Sequence, residues 1–188
     1  MHSRRPREEA RRAVAALPEN PHPFRAFPVR VADETVSIPQ RIYHDPLAIS
    51  VGYRFGLGSP TQKEILDSLF SRHVDGFVRE KRLSRIIRLD RVWIPPFVIQ
   101  LAGEYVIEIL RLIEQSIPEL DCTLYGEFVR HNPELIKKTK QRIVSYWNCY
   151  YRSIPPERYP GFRIHNFLEH LQSKGPALTP GPKLKAES

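Results

Sequence analysis

Between residues 94 and 117 the chain is apolar around almost the whole circumference of a helix. At about 100° per residue Gln100, Glu104, Glu108, Arg111 and Gln115 fall on one narrow stripe, and most other positions are hydrophobic. Such a segment either spans a membrane or forms the centre of a packed helical domain, and two glutamates with an arginine near its middle select the second. The pattern predicts one buried organising helix.

Shorter amphipathic segments surround it. Ser59-Pro60-Thr61-Gln62 carries a serine cap, proline at the first helical position and glutamine three residues after the cap, and predicts a helix reaching about Arg72. Ile65, Leu66, Leu69, Phe70 and His73 share its apolar face, so His73 reads as a hydrogen-bonded histidine at the edge of a core. Asp75 can cap a second helix over residues 76–89, with Leu83, Ile86, Ile87 and Leu89 on its apolar side and Arg79 in the middle of that arc. A desolvated arginine needs a partner, for which Asp75, Glu104 and Glu108 are the candidates. A short helix over 124–131 follows, then Asn132 as cap and Pro133 at the first position open a helix to about Arg152, and a last one covers 165–172.

The ends behave differently. Residues 1–26 mix arginine, glutamate and proline with little periodicity and read as a flexible arm, with a turn or two of helix near residues 8–17. Phe27–Val31 and Thr35–Ile38 alternate as a small β-hairpin does, its prolines restrict it to an edge, and Ile42 and Tyr43 can anchor it. The proline- and lysine-containing stretch 173–188 reads as a disordered tail. The expectation is thus one all-α domain over 27–172, an irregular helical bundle or short helical array with a small N-terminal β-hairpin.

Charge and chemistry narrow the function less. The net charge of +8 is spread as +2, +4 and +2 over residues 1–45, 46–171 and 172–188, which permits an anionic partner without demanding one. The densest basic cluster is Lys81, Arg82, Arg85 and Arg88, with Arg91 beside it, and with Lys137 and Lys138 it could bind phosphates of nucleic acid with little sequence preference. The run from Ser145 to Arg152 is dense in aromatic residues that could stack bases, although Tyr146, Trp147 and Tyr150 fit the inward arc of their helix.

Glu104 and Glu108 with His73 are the sharpest candidates for a hydrolytic or metal-dependent site, yet the Glu-x-x-His pairs of dimetal bundles are missing from the inward faces. A structural ion-pair set of Asp75, Arg79, Glu104 and Glu108 explains the same residues. Cys122 and Cys149 offer neither zinc-finger spacing nor a disulfide framework, which suits a reducing cytoplasm, and Gly52, Gly56 and Gly58 lack the setting of a phosphate loop. No catalytic residue, metal or cofactor is assigned, and no signal or membrane anchor is evident.

Asp75-Gly-Phe-Val78-Arg79, with apolar Leu83 and Ile86, resembles the turn of HEAT-type helical repeats over about residues 61–113. The resemblance implies a scaffold for protein partners, less often a basic surface for nucleic acid, and no catalysis. No second Asp-x-x-Val-Arg and no fixed period follow. The chain is therefore expected to be a non-enzymatic interaction or assembly module for a protein partner, with nucleic-acid binding through 81–91 as the alternative.

Overall fold

A computed structural model describes residues 4–15, 25–45 and 59–174. Its two strands, β1 (Ala26–Val31) and β2 (Glu34–Pro39), pair antiparallel with Phe27 opposite Ile38, Val29 opposite Val36 and Val31 opposite Glu34. The two-residue alternation turns Val29, Val31 and Ile38 into the core and leaves Pro28 and Arg30 outside. Ala32 in the connecting turn has a φ of 50°, a left-handed conformation that a side chain disfavours.

Asn132 holds this hairpin on the helices. Its side-chain oxygen accepts from the Arg30 amide at 2.7 Å, and its amide group donates to the Arg30 carbonyl at 2.8 Å and to the Phe128 carbonyl at 2.8 Å. The side chain thus occupies the place of one ladder residue beside β1. This corrects the expectation that Asn132 caps the helix after it, because that side chain makes no capping bond and Pro133 begins the helix without an amide hydrogen to satisfy.

Eight α-helices make up the rest of the described chain: α1 (Arg4–Ala15), α2 (Pro60–Phe70), α3 (Gly76–Ile86), α4 (Pro95–Ala102), α5 (Ile107–Ser116), α6 (Cys122–His131), α7 (Pro133–Tyr150) and α8 (Pro160–Ser173). The capping box at Ser59 and Gln62 is formed as expected, and Asp75 and Asp121 cap α3 and α6. Part of the arm is regular: α1 makes three turns, packs on α2 through the buried Ala13, and has Glu9 facing the Ser59 hydroxyl at 3.2 Å. The tail beyond 174 and the glycines at 52, 56 and 58 lie outside the described residues. Among those residues no helix is long and apolar enough to cross a membrane.

The expected single helix over 94–117 is two helices. All eight residues of α4 are buried, then the chain turns through Gly103, Glu104 and Tyr105 before α5 begins. The stripe splits at this break: Gln100 and Glu104 are buried, whereas Glu108, Arg111 and Gln115 face out. Two causes act together. Gly103, a poor helix former, ends α4, and the Glu104 carboxylate is drawn toward arginines on other segments.

Apolar side chains form two clusters. The larger joins the hairpin, the end of α3 and helices α4 to α8; the smaller holds Ala13, Ile42, Ile65, Leu66 and Phe70 under α1 and α2, with Trp93 touching both. In the larger cluster α8 begins against α7 at Gly161, where a Cβ would stand 2.3 Å from the buried Tyr159 ring and 2.9 Å from Ile143 Cγ2. Gly161→Ala should therefore lower the unfolding free energy by about 1–3 kcal/mol through overpacking, read from the urea midpoint.

Candidate functional site

Among the described residues Glu104 is the most densely paired charge. One carboxylate oxygen lies 2.8 Å from Arg41 Nη1 and 3.0 Å from Arg72 Nη1, and the other lies 2.8 Å from Arg79 Nε. The Arg79 contact is off the hydrogen-bond direction and acts as a charge contact, while Arg79 Nη1 donates to the carbonyls of His73 at 2.9 Å and Val74 at 2.7 Å. Arg72, fully buried, also donates to the Gln40 carbonyl at 2.7 Å. Burial pulls the Arg72 pKa down to about 10 against the opposing pull of Glu104, so it stays charged at neutral pH.

Three guanidiniums thus share one carboxylate. Of the candidates for Arg79, Glu104 is the one in contact; Asp75 spends its side chain on the Phe77 amide at 2.8 Å, and Glu108 is exposed beside Tyr151.

His73 completes this region without offering a reactive nitrogen. Its Nδ1 accepts from the Asp75 amide at 3.0 Å, which leaves Nε2 to carry the hydrogen and donate to the His44 carbonyl at 3.1 Å. Both ring nitrogens are occupied in the neutral ring, and desolvation lowers the pKa below 6.5. The structure does not assemble Glu104, Glu108 and His73 as a hydrolytic centre: Glu104 is enclosed by arginines and Glu108 faces solvent. Among the described residues no group of three His, Cys, Asp or Glu side chains could hold a metal ion.

The basic row of α3 is largely tied into the fold. Arg82 meets Asp67 at 2.5 Å and lies 5.2 Å from the Phe70 ring centre, Arg85 reaches the same carboxylate at 3.4 Å, and Arg88 meets Glu119 at 2.6 Å. Arg91 holds Glu64 through two bonds, at 2.8 and 3.1 Å. Lys81 remains exposed, as do Lys137 and Lys138 on α7, at another part of the chain. The arginines of the first cluster therefore have intramolecular carboxylates, which periodicity along α3 could not reveal.

A second surface was underestimated by the helical arc. Tyr150 is 63% exposed and Tyr105, in the turn between α4 and α5, is 52% exposed. With the half-buried Tyr146 they form a triangle of rings whose centres are 5.9, 5.9 and 6.0 Å apart. Trp147 turns inward instead, packing edge-on against Phe162 at 5.3 Å and donating to the Ile154 carbonyl at 3.0 Å. The Tyr151 hydroxyl donates to the Tyr105 carbonyl and fastens the turn to the end of α7. The available sequence signal was the ridge Lys138, Arg142, Tyr146 and Tyr150 at steps of four; Tyr105 carried none, because its place depends on the break in the expected helix.

Because the folded ring of His73 binds its proton less tightly than the unfolded one, the unfolded state holds more protons below about pH 6.5. Stability should therefore be fully present above that pH and decline as pH falls through the lowered folded pKa. Urea midpoints compared at pH 7.5 and 5.5 should show the decline, and His73→Gln should flatten it; an equal decline in both proteins would exclude His73 as the cause. Comparison with protein-family models, with curated proteins and with solved structures gave no match to the chain.

Proposed function

We propose that this chain is a non-enzymatic interaction module whose contact surface is the tyrosine face formed by α7 and the turn at residues 103–106. The observation that carries the reading is the exposed triangle of Tyr105, Tyr146 and Tyr150 beside the exposed Arg142. Tyrosine and arginine provide a large share of the energy in macromolecular contacts, since each pairs a broad apolar surface with a polar tip. Rings already packed on one another lose little side-chain freedom when a partner lands on them.

The nucleic-acid reading based on Lys81, Arg82, Arg85 and Arg88 draws less support, because Asp67 and Glu119 compete for those arginines. A HEAT-type scaffold and a cytoplasmic setting fit the same proposal: the adjacent α2 and α3 are joined by a short turn, and Cys122 and Cys149 are exposed thiols.

The test is photo-crosslinking in cells from benzoylphenylalanine placed at Ser145, on the exposed side of α7, with Lys63 on α2 as the control position. The reading predicts a discrete macromolecular adduct from position 145, absent at position 63 and lost when Tyr105→Ser and Tyr150→Ser are combined. Absence of any adduct from 145, or the same adducts from both positions, would contradict it.

A further inference from the structure

We propose that the ligand of this face is single-stranded nucleic acid, with its phosphates along the cations of α7 and its bases on the tyrosine rings. The proposal rests on the interaction-module reading and names its partner. Lys138, Arg142, Tyr146 and Tyr150 follow one another at single helical turns, so two cations lead into two rings over about 18 Å of helix at about 1.5 Å per residue. Arg142 passes over Gly103, its Cδ 3.4 Å from where a Cβ would stand, and so lies beside the turn that presents Tyr105. Arg152 is held near the far end, its guanidinium contacting Asn148 Oδ1 at 3.3 and 3.4 Å.

Charge complementarity selects a polyanion. Among the described residues no carboxylate lies within 4.0 Å of the charged ends of Lys137, Lys138, Arg142 or Arg152. Five cations lie on and just beyond α7, of which Lys140 pairs with Glu169 of α8 at 3.1 Å, and the exposed Glu134 is the acidic residue of the helix itself. Arg82, Arg85 and Arg88 differ in this respect, because their carboxylates are already in place.

Geometry selects nucleic acid over an acidic peptide, and single strands over duplexes. Turning about 100° per residue, Tyr146 and Tyr150 lie about a quarter turn round α7 from Lys138 and Arg142 and about two turns further along it. A strand laid along the helix would therefore meet phosphate-binding cations first and base-stacking rings after them, a succession that an acidic peptide does not match. Stacking on such rings needs the open face of a base, which a single strand offers and a paired stack hides. The exposed Ser145 lies near this ridge and adds a polar group that does not select one base.

The experiment is a fluorescence-anisotropy titration of the full chain with fluorescein-labelled twelve-nucleotide oligo(dT) and oligo(U), and with a duplex of the same length, in 50 and 200 mM salt. Three phosphate contacts predict binding about twentyfold weaker at the higher salt. Tyr150→Ala should weaken it about tenfold, and the pair Lys138→Glu with Arg142→Glu should weaken it and flatten the salt dependence. The pair Arg85→Glu with Arg88→Glu should leave it unchanged.

Failure of both oligomers to bind in 50 mM salt, equal binding of the duplex, or indifference to Tyr150→Ala in a chain whose circular dichroism is unaltered would overturn the proposal. A protein adduct from position 145 without oligomer binding would overturn this inference alone and leave the interaction-module reading in place. Oligomer binding that ignores every α7 variant would remove both.

Discussion

The fold depends on a polar joint between two apolar clusters. The smaller cluster under α1 and α2 meets the larger one through few hydrophobic contacts, Trp93 being the side chain that touches both. Ion pairs make further connections: Asp67 and Glu64 of α2 hold Arg82, Arg85 and Arg91 at the surface, and Glu104 in the interior receives Arg41 from the strand exit, Arg72 from just after α2 and Arg79 from α3. Water is largely excluded from Arg72, Arg79 and Glu104, so each charge there relies on its partners. Such a network is geometrically selective: removing one member leaves the others desolvated and unpaired.

The same turn that buries Glu104 exposes Tyr105. Gly103 ends α4 beside Thr139 of α7, the next residue turns inward to the arginines, and the one after it turns outward to the tyrosines of α7. The Tyr151 hydroxyl then fixes the carbonyl of that outward residue. Three consecutive residues thus join the internal ion network to the external ring cluster. Lys140 of α7 pairs with Glu169, whereas Arg82 and Arg85 of α3 share Asp67.

Features governed by near neighbours in sequence were legible before folding. The Ser59 capping box, the alternation of the hairpin and the cap at Asp75 depend on residues a few positions apart, and the burial of His73 followed from its place in the apolar pattern, although its bond to the His44 carbonyl spans 29 residues. What escaped was set by distant segments. Asn132 looked like a helix cap but reaches a strand residue 102 positions away, and the apolar run over 94–117 concealed a break needed to bring Glu104 to its arginines. Tyr150 sat near the margin of the inward arc, where only the observed packing decides which side meets solvent. The arginines of α3 showed their number in sequence but not their partners.

The most direct test of this account is the unfolding free energy of Glu104→Gln measured by urea denaturation at neutral pH. The substitution keeps the shape of the side chain and removes the one negative charge shared by three arginines. The account predicts a loss of about 3–5 kcal/mol, the scale of a buried charge left without its partner. A variant within about 0.5 kcal/mol of the parent, the usual range of a surface substitution, would contradict the claim that Glu104 joins the two halves of the fold.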